Sequence, residues 1–299
     1  GGKGTRMESD LPKVLHPVCG RPMVCHVVDT IRAVHSGTIV VVVPPGVVAS
    51  EYLGNSVQLV EQIDPLGTGH ALLQCKDLLK NEADRILVMY ADTPLILPST
   101  LSRLIEKHEV SGAGATLLTS KNMIPDGLGR IVRDKSGNVM NVVEEADAEM
   151  WHLALTEING GLYGFEGSWL WQALSELTSS SLGEYYLTEL VHLATSNGIV
   201  VESIESGEPL EVLGINNRVQ LAQGEQAMRA RIIQKWMLAG VTIVDPATTY
   251  IDTEVILDRD TTIHPNTILR GRTGIGKRCN LGPSSMIYDS GCYKFTTYM

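Results

Sequence analysis

Three glycines, Gly1, Gly2 and Gly4, stand before Thr5 and Arg6, and Lys13 follows seven residues beyond the arginine. Closely spaced glycines let a backbone approach a ligand and turn its N–H groups inward, which suits phosphate. Arg6 adds a planar fork of donors and Lys13 a point charge, with Pro12 holding the residue before it extended. The Walker pattern ends in Gly-Lys-Ser/Thr, whereas Gly4 is followed by Thr5 and Arg6, so a P-loop ATPase is excluded. Taken alone, the loop could equally serve only to turn the chain. Asp92, just beyond the apolar run RILVMY (85–90), is either a hard-cation ligand or a turn residue before Pro94. Gln62 offers both a donor and an acceptor to a base edge, or is a solvated surface amide. Glu144 is either a hydrogen-bond acceptor for a ligand or one member of the solvated acidic run EEADAE.

These residues need a frame. Over the first two thirds of the chain, short β-branched runs such as TIVVVV (38–43) and RILVMY alternate with the amphipathic stretches ALLQCKDLLK (71–80) and STLSRLIEKHEV (99–110). Near-continuous apolar strands between helices predict an α/β, Rossmann-like, mainly parallel sheet covered on both faces, with ligands outside the carboxyl ends of its strands. Asp92 falls at such an edge. The segment 217–239 lacks proline, is rich in helix formers, and is followed by Gly240 as a stop, which predicts a connecting helix. Beyond it Leu257, Ile263, Leu269, Ile275, Leu281 and Ile287 recur every six residues, and Thr261, Thr267, Thr273, Cys279 and Ser285 hold a small-residue position. That period fits neither an α-helix nor an alternating strand, and predicts about two coils of a triangular parallel β-helix. The expected division is an α/β domain over 1–216, a connecting helix over 217–240 and the start of a truncated β-helix over 241–299.

With 299 residues, 43% of them hydrophobic, the chain can bury a large core. A net charge of −10 argues against a nucleic-acid coat and for a small anionic substrate bound in a locally basic pocket. Five cysteines without a C-x-x-C pair suggest neither a disulfide framework nor a zinc ribbon, and so a reducing, cytoplasmic setting. The apolar run 38–43 ends at Pro44 and Pro45, far short of a bilayer span, so no membrane anchor is expected. His16, His26 and His70 lack a metal-binding spacing and read as structural. The missing initiator methionine, and the lack of a strand before the glycine loop, predict a natural N-terminus further upstream.

The stretch GGKGTRMESDLPKVLHPVCGRPM (1–23) resembles the signature of sugar-phosphate nucleotidyltransferases, most closely the bifunctional bacterial GlmU family that makes UDP-N-acetylglucosamine. The similarity continues in the family's order through EQIDPLGTGHA (61–71), MYADTPLI (89–96), GLGRIVRD (127–134), VVEEADA (142–148), EINGGLY (157–163), LGEYYLTEL (182–190) and EVLGINNRVQL (211–221). It implies a GT-A-like nucleotidyltransferase sheet followed by a left-handed β-helix that makes a homotrimer in the full-length protein. It implies that the backbone of Gly1, Gly2, Gly4 and Thr5, with Arg6 and Lys13, grips the triphosphate of UTP. Gln62, Gly67 and Thr68 would read the uracil, Asp92 and Asn216 would hold Mg²⁺, and Gly129, Glu144 and Asn159 would bind N-acetylglucosamine 1-phosphate. One Asp and one Asn suffice, because Mg²⁺ draws few ligands from protein and the rest from phosphate and water. Tyr185 and Tyr186 match a segment near the sugar pocket, yet adjacent tyrosines before an apolar helix equally read as packing. Acetyl transfer, the family's second activity, belongs to coils that lie beyond this chain and is not expected in it.

Three positions depart from the family pattern. Ala91 stands where a glycine is usual and its methyl could crowd the nucleotide; Ala146 replaces a basic residue and Gly160 a hydroxyl-bearing one. They bear on sugar preference more than on the reaction, so glucose 1-phosphate is a second candidate substrate. A catalytically silent trimeric assembly module is the reading from another class, and the joint presence of Arg6, Lys13, Asp92 and Asn216 speaks against it.

Overall fold

The structure is a computed structural model and describes residues 4–47, 49–54, 57–121, 127–292 and 297–298. Gly1 and Gly2 of the opening loop lie outside the described residues. The chain divides into two compact units, one of residues 1–15 and 24–216, the other of residues 16–23 and 217–299.

The first unit has the α/β class that the sequence predicts, built on a mixed sheet. Ala115–Ser120 pairs parallel with Val201–Glu205, and Val40–Val43 pairs parallel with Gln58–Glu61. Between Arg85–Met89 and Ala115–Ser120 runs one antiparallel strand, Ile158–Glu166, bonded to both. Because its neighbours run opposite to it, its amino end lies at the edge where Arg85–Met89 ends; Tyr90 N–H donates to the Gly161 carbonyl at 2.9 Å. Arg130–Arg133 meets the same end through Arg130 and Ile158, and its hairpin partner Val139–Val143 finishes opposite Arg130. Thus Asp92, Gly129, Glu144 and Asn159, scattered in sequence, reach one sheet edge.

Alternation in the strands fills both faces. Leu117 and Tyr163 join a cluster with Leu170, Leu190 and Val191, while Leu118 and Leu162 join Ile96, Leu101 and Leu104 on the opposite side. Helix Pro98–Ser111 supplies Leu101 and Leu104; Pro98 sits in its first turn and Gly112, at φ 62°, ends it. The predicted helix over 71–80 is instead two short ones, Thr68–Leu73 and Lys76–Leu79.

In the second unit, helix Arg218–Leu238 starts at Asn217, whose side chain accepts from Gln220 N–H at 2.9 Å, and Gly240 at φ 92° follows its end. Three parallel sheets then stack as the faces of a prism, one of four short strands and two of three. Leu257, Ile263, Leu269, Ile275, Leu281 and Ile287 point inward and are buried, as are Thr261, Thr267, Thr273 and Cys279. Ser285, the last of the small-residue series, is only half-buried. The coil number differs from the expected two: strands from Thr242–Ile243 to Thr297–Tyr298 make about three turns along the four-stranded face. Ile243 and Ile251 already point inward, but the intervening loop sets Ile243 off the six-residue register, which hides the first coil from the sequence. Residues 16–23 form a small hairpin in this unit, with Cys19 N–H donating to Glu225 at 2.6 Å and the Cys19 carbonyl accepting from Thr253 N–H at 3.0 Å. Among the described residues no helix is long and apolar enough to cross a membrane.

Candidate active site

The first unit alone carries the site. Gly4, at φ 60°, opens a tight turn Thr5–Met7; a Cβ on Gly4 would come within 2.9 Å of Lys13, so the glycine loop and the lysine segment touch. Lys13 begins a second 3-10 turn, Lys13–Leu15, whose buried Leu15 anchors it. The Lys13 ammonium pairs with the Asp92 carboxylate and donates to Asn216 Oδ1 at 2.9 Å, and Arg6 donates to the same oxygen at 3.2 Å. Ile215 N–H donates to the Asp92 carbonyl at 2.9 Å, which fixes the two chain segments side by side. Two hard oxygens 124 positions apart in the chain therefore converge on one cation, a position the Lys13 ammonium fills. Such a donor pair suits a hard divalent cation that takes its remaining ligands from phosphate and water. Among the described residues no three His, Cys, Asp or Glu side chains converge as a metal-holding group.

Two cavities share two lining residues, and the first of them adjoins this cluster. One, of about 160 Å³, is lined by Arg6, Asp92, Asn216, Gly129, Glu144 and Asn159 together with Tyr90 and Thr93. The other, of about 230 Å³, is lined by Gln62, Gly67, Thr68, Glu184 and Tyr186, and shares Tyr90 and Glu144 with the first. Arg6, Gln62, Gly67, Thr68, Asp92, Gly129, Glu144, Asn159 and Asn216 each line a cavity, and Gly4 packs on Lys13.

Local geometry explains several residue types. Gly67 has φ 103° and a Cβ there would meet the Tyr185 carbonyl oxygen at 2.6 Å, so only glycine lets the loop close against that backbone. Buried Gln62 donates through Nε2 to the Gly67 carbonyl at 3.0 Å and lies 3.0 Å from His70 Nδ1, which makes His70 a holder of Gln62. Thr68 accepts from Leu187 N–H at 2.9 Å. Asn159 accepts from Gly161 N–H at 3.1 Å and its own N–H donates to the Gly129 carbonyl at 2.9 Å, joining two sugar-side candidates. Glu145 receives Gly127 N–H at 2.7 Å and Arg130 at 3.1 Å, bracing the rim that carries Gly129.

Electrostatics single out Glu144. Burial pushes its carboxyl above the ordinary 4.5, Asp147 and Glu184 add to the rise, and a hydroxyl bond from Thr188 at 2.9 Å opposes it. Burial likewise raises the Tyr90 phenol, with the Glu144 charge adding. Folding stability linked to Glu144 is therefore complete below its ordinary value and is lost as pH rises through the raised one, where the folded state must hold a buried carboxylate. Glu144→Gln should accordingly melt about 2–4 °C higher than the parent chain at pH 7.5, with the gap closing at pH 4. A scanning-calorimetry series in which the variant melts lower at pH 7.5 would contradict this.

Tyr186, which the sequence leaves open between the sugar pocket and packing, lines the second cavity, and nothing in the sequence marks Tyr90 or Thr188, although all three lie within the family-like motifs. Ala91, whose methyl could crowd the nucleotide, lines neither cavity and packs against an apolar cluster that includes Leu15 and Val43. At Gly160 a Cβ would meet Leu118 at 2.8 Å and Val212 at 2.9 Å, so the space that a hydroxyl-bearing side chain needs is filled by aliphatic groups. Ala146 is exposed and lines neither cavity.

Arg6 and Lys13 beside the Gly4 turn, a carboxylate–amide pair at a sheet edge and a cavity next to it are an arrangement that suits a nucleotidyltransferase. The chain belongs to the MobA-like NTP transferase domain family, whose pattern matches residues 1–230. It is also similar to proteins named bifunctional protein GlmU. It is 43% identical over 290 residues to that of Geobacillus sp. strain WCH70, covering 96% of this chain and 63% of the relative. It is 45% identical over 291 residues to that of Caldanaerobacter subterraneus subsp. tengcongensis, covering 97% and 63%. Against that of Latilactobacillus sakei it is 43% identical over 291 residues, again covering 97% and 63%. The chain thus spans a little under two thirds of the length of the curated relatives it matches.

Proposed function

We propose that the chain is a uridyltransferase that makes UDP-N-acetylglucosamine and pyrophosphate from UTP and N-acetylglucosamine 1-phosphate. The observation that carries this reading is a cation cluster, Arg6, Lys13, Asp92 and Asn216, beside a cavity that shares Tyr90 and Glu144 with a second one. A phosphate oxygen of the sugar 1-phosphate attacks the α-phosphorus of UTP, and the bond to the β-phosphate oxygen breaks, releasing pyrophosphate. The nucleophile is already an anion, so the protein positions and neutralises without a covalent intermediate. Asp92 and Asn216 would hold Mg²⁺, which when bound supplies positive charge to the triphosphate. Arg6 and Lys13 neutralise the phosphoryl oxygens, and the Gly4–Thr5 backbone lies against them. Gln62, Gly67 and Thr68 line the base side, while Gly129, Glu144 and Asn159 receive the sugar. For the full-length protein we propose a cytoplasmic homotrimer assembled through the β-helix, as the family resemblance implies.

Pyrophosphate release from UTP and Mg²⁺ tests the reading. N-acetylglucosamine 1-phosphate should exceed glucose 1-phosphate in kcat/KM by about 10²-fold, because a site built for an amide loses paired polar groups without it. Equal rates, or a preference for glucose 1-phosphate, would move the substrate assignment, and no release from a folded chain would end it.

A further inference from the structure

Glu144 uses its two carboxylate oxygens differently. Oε1 accepts the Thr188 hydroxyl at 2.9 Å, whereas a Cβ built on Gly129 would lie 3.4 Å from Oε2. Gly129 and Glu144 line the same cavity, and a side chain at 129 would pack against Oε2 there. Thr188 is 1% exposed and occupies the N-cap of helix Glu189–Ser196, a position where threonine ordinarily accepts a backbone N–H. It has helical dihedrals and makes no such cap bond; its hydroxyl goes to Glu144 instead.

The geometry points to Thr188 as a positioning residue that pins Oε1 of Glu144 and thereby presents Oε2 to a hydroxyl or amide donor of the bound sugar 1-phosphate. This rests on the proposed uridyltransferase reading of the same site. With the carboxylate fixed through Oε1, Oε2 keeps its lone pairs for a donor held in a set direction, which favours substrates carrying a donor there. The hydroxyl also opposes the neighbours that disfavour the ionised form: Asp147 and Glu184 by charge, in a setting shared with the phenols of Tyr90, Tyr163 and Tyr186.

Thr188→Val keeps the shape and removes the donor, and Thr188→Ser keeps the donor. With N-acetylglucosamine 1-phosphate varied at saturating UTP, Thr188→Val should raise KM about tenfold, the scale of one hydrogen bond to a charged group. Its kcat should change less, the acidic limb of kcat/KM should move to higher pH, and Thr188→Ser should restore both. Carboxyl-carbon NMR titration of labelled Glu144 gives a second readout that needs no turnover, with the midpoint in Thr188→Val above that of the parent. An unchanged KM and pH limb in Thr188→Val, equal damage in both variants, or an unmoved midpoint would overturn the inference. If the parent chain releases no pyrophosphate, the uridyltransferase reading fails, and the NMR midpoint alone then decides whether Thr188 governs Glu144.

Discussion

Replacing Asp92 with asparagine should lower pyrophosphate release about 10³-fold at saturating UTP, while the protein stays folded. Asp92 and Asn216 are the two oxygen donors that meet at the cation position, and only Asp92 carries a formal charge. Removing it leaves two amides facing a divalent ion, and the strength of a hard-cation site follows its charged oxygen ligands. Higher Mg²⁺ should recover part of the loss, because the variant weakens metal occupancy before it disturbs nucleotide contacts. Folding should survive for two reasons. The bond that docks Ile215 uses the Asp92 main-chain carbonyl, at 2.9 Å, which the substitution leaves in place. The lost ion pair with Lys13 is partly exposed, with side chains 19% and 18% accessible, and contributes on the order of 1 kcal/mol. Activity within threefold of the parent at low Mg²⁺ would remove Asp92 from the metal role.

Much of this site is legible in the amino-acid sequence, and the reasons are local. The glycine loop, Arg6 and Lys13 lie within 13 residues, so their association needs no knowledge of the fold. Helix Pro98–Ser111 carries its own start and stop in Pro98 and Gly112. The hexad of aliphatics announces the β-helix because each strand buries one side chain and repeats. What escapes is non-local. Strand Ile158–Glu166 is the central antiparallel member of the sheet, yet Gly160, Gly161 and Gly164 depress its strand signal. The glycines answer to neighbours distant in sequence: a Cβ at 161 would meet the Tyr90 ring at 2.8 Å, and one at 164 would meet Leu104 and His108 at 3.3 Å. Residues 16–23 read as part of the opening signature, but Cys19 takes its partners from Glu225 and Thr253, more than 200 positions away. Nothing in the sequence marks Thr188, and only its contact with Glu144 discloses a use.

Lys13→Met should separate two quantities that a single charge now links. In the ligand-free chain the Lys13 ammonium pairs with Asp92 and donates to Asn216, so it competes for the oxygens that a metal ion needs. Taking that charge away should strengthen the binding of Mn²⁺ without nucleotide by about three- to tenfold, since an unpaired carboxylate is a better ligand and one like charge is gone. Turnover should move the other way and fall about 10²-fold, because lysine also neutralises the triphosphate once substrate enters, a role methionine cannot fill. Methionine follows the aliphatic stem of lysine closely enough to keep the contact with the Gly4 turn, where a Cβ on the glycine would lie 2.9 Å from Lys13. Electron paramagnetic resonance of free Mn²⁺ reads the first quantity and steady-state kinetics the second. A residue that only closed the ion pair with Asp92 would raise Mn²⁺ affinity and leave turnover at the parent value in a folded variant. A residue that acted only on the phosphates would lower turnover and leave Mn²⁺ affinity at the parent value. Opposite changes in the two are the signature of a lysine that holds the cation position until nucleotide and metal take it over.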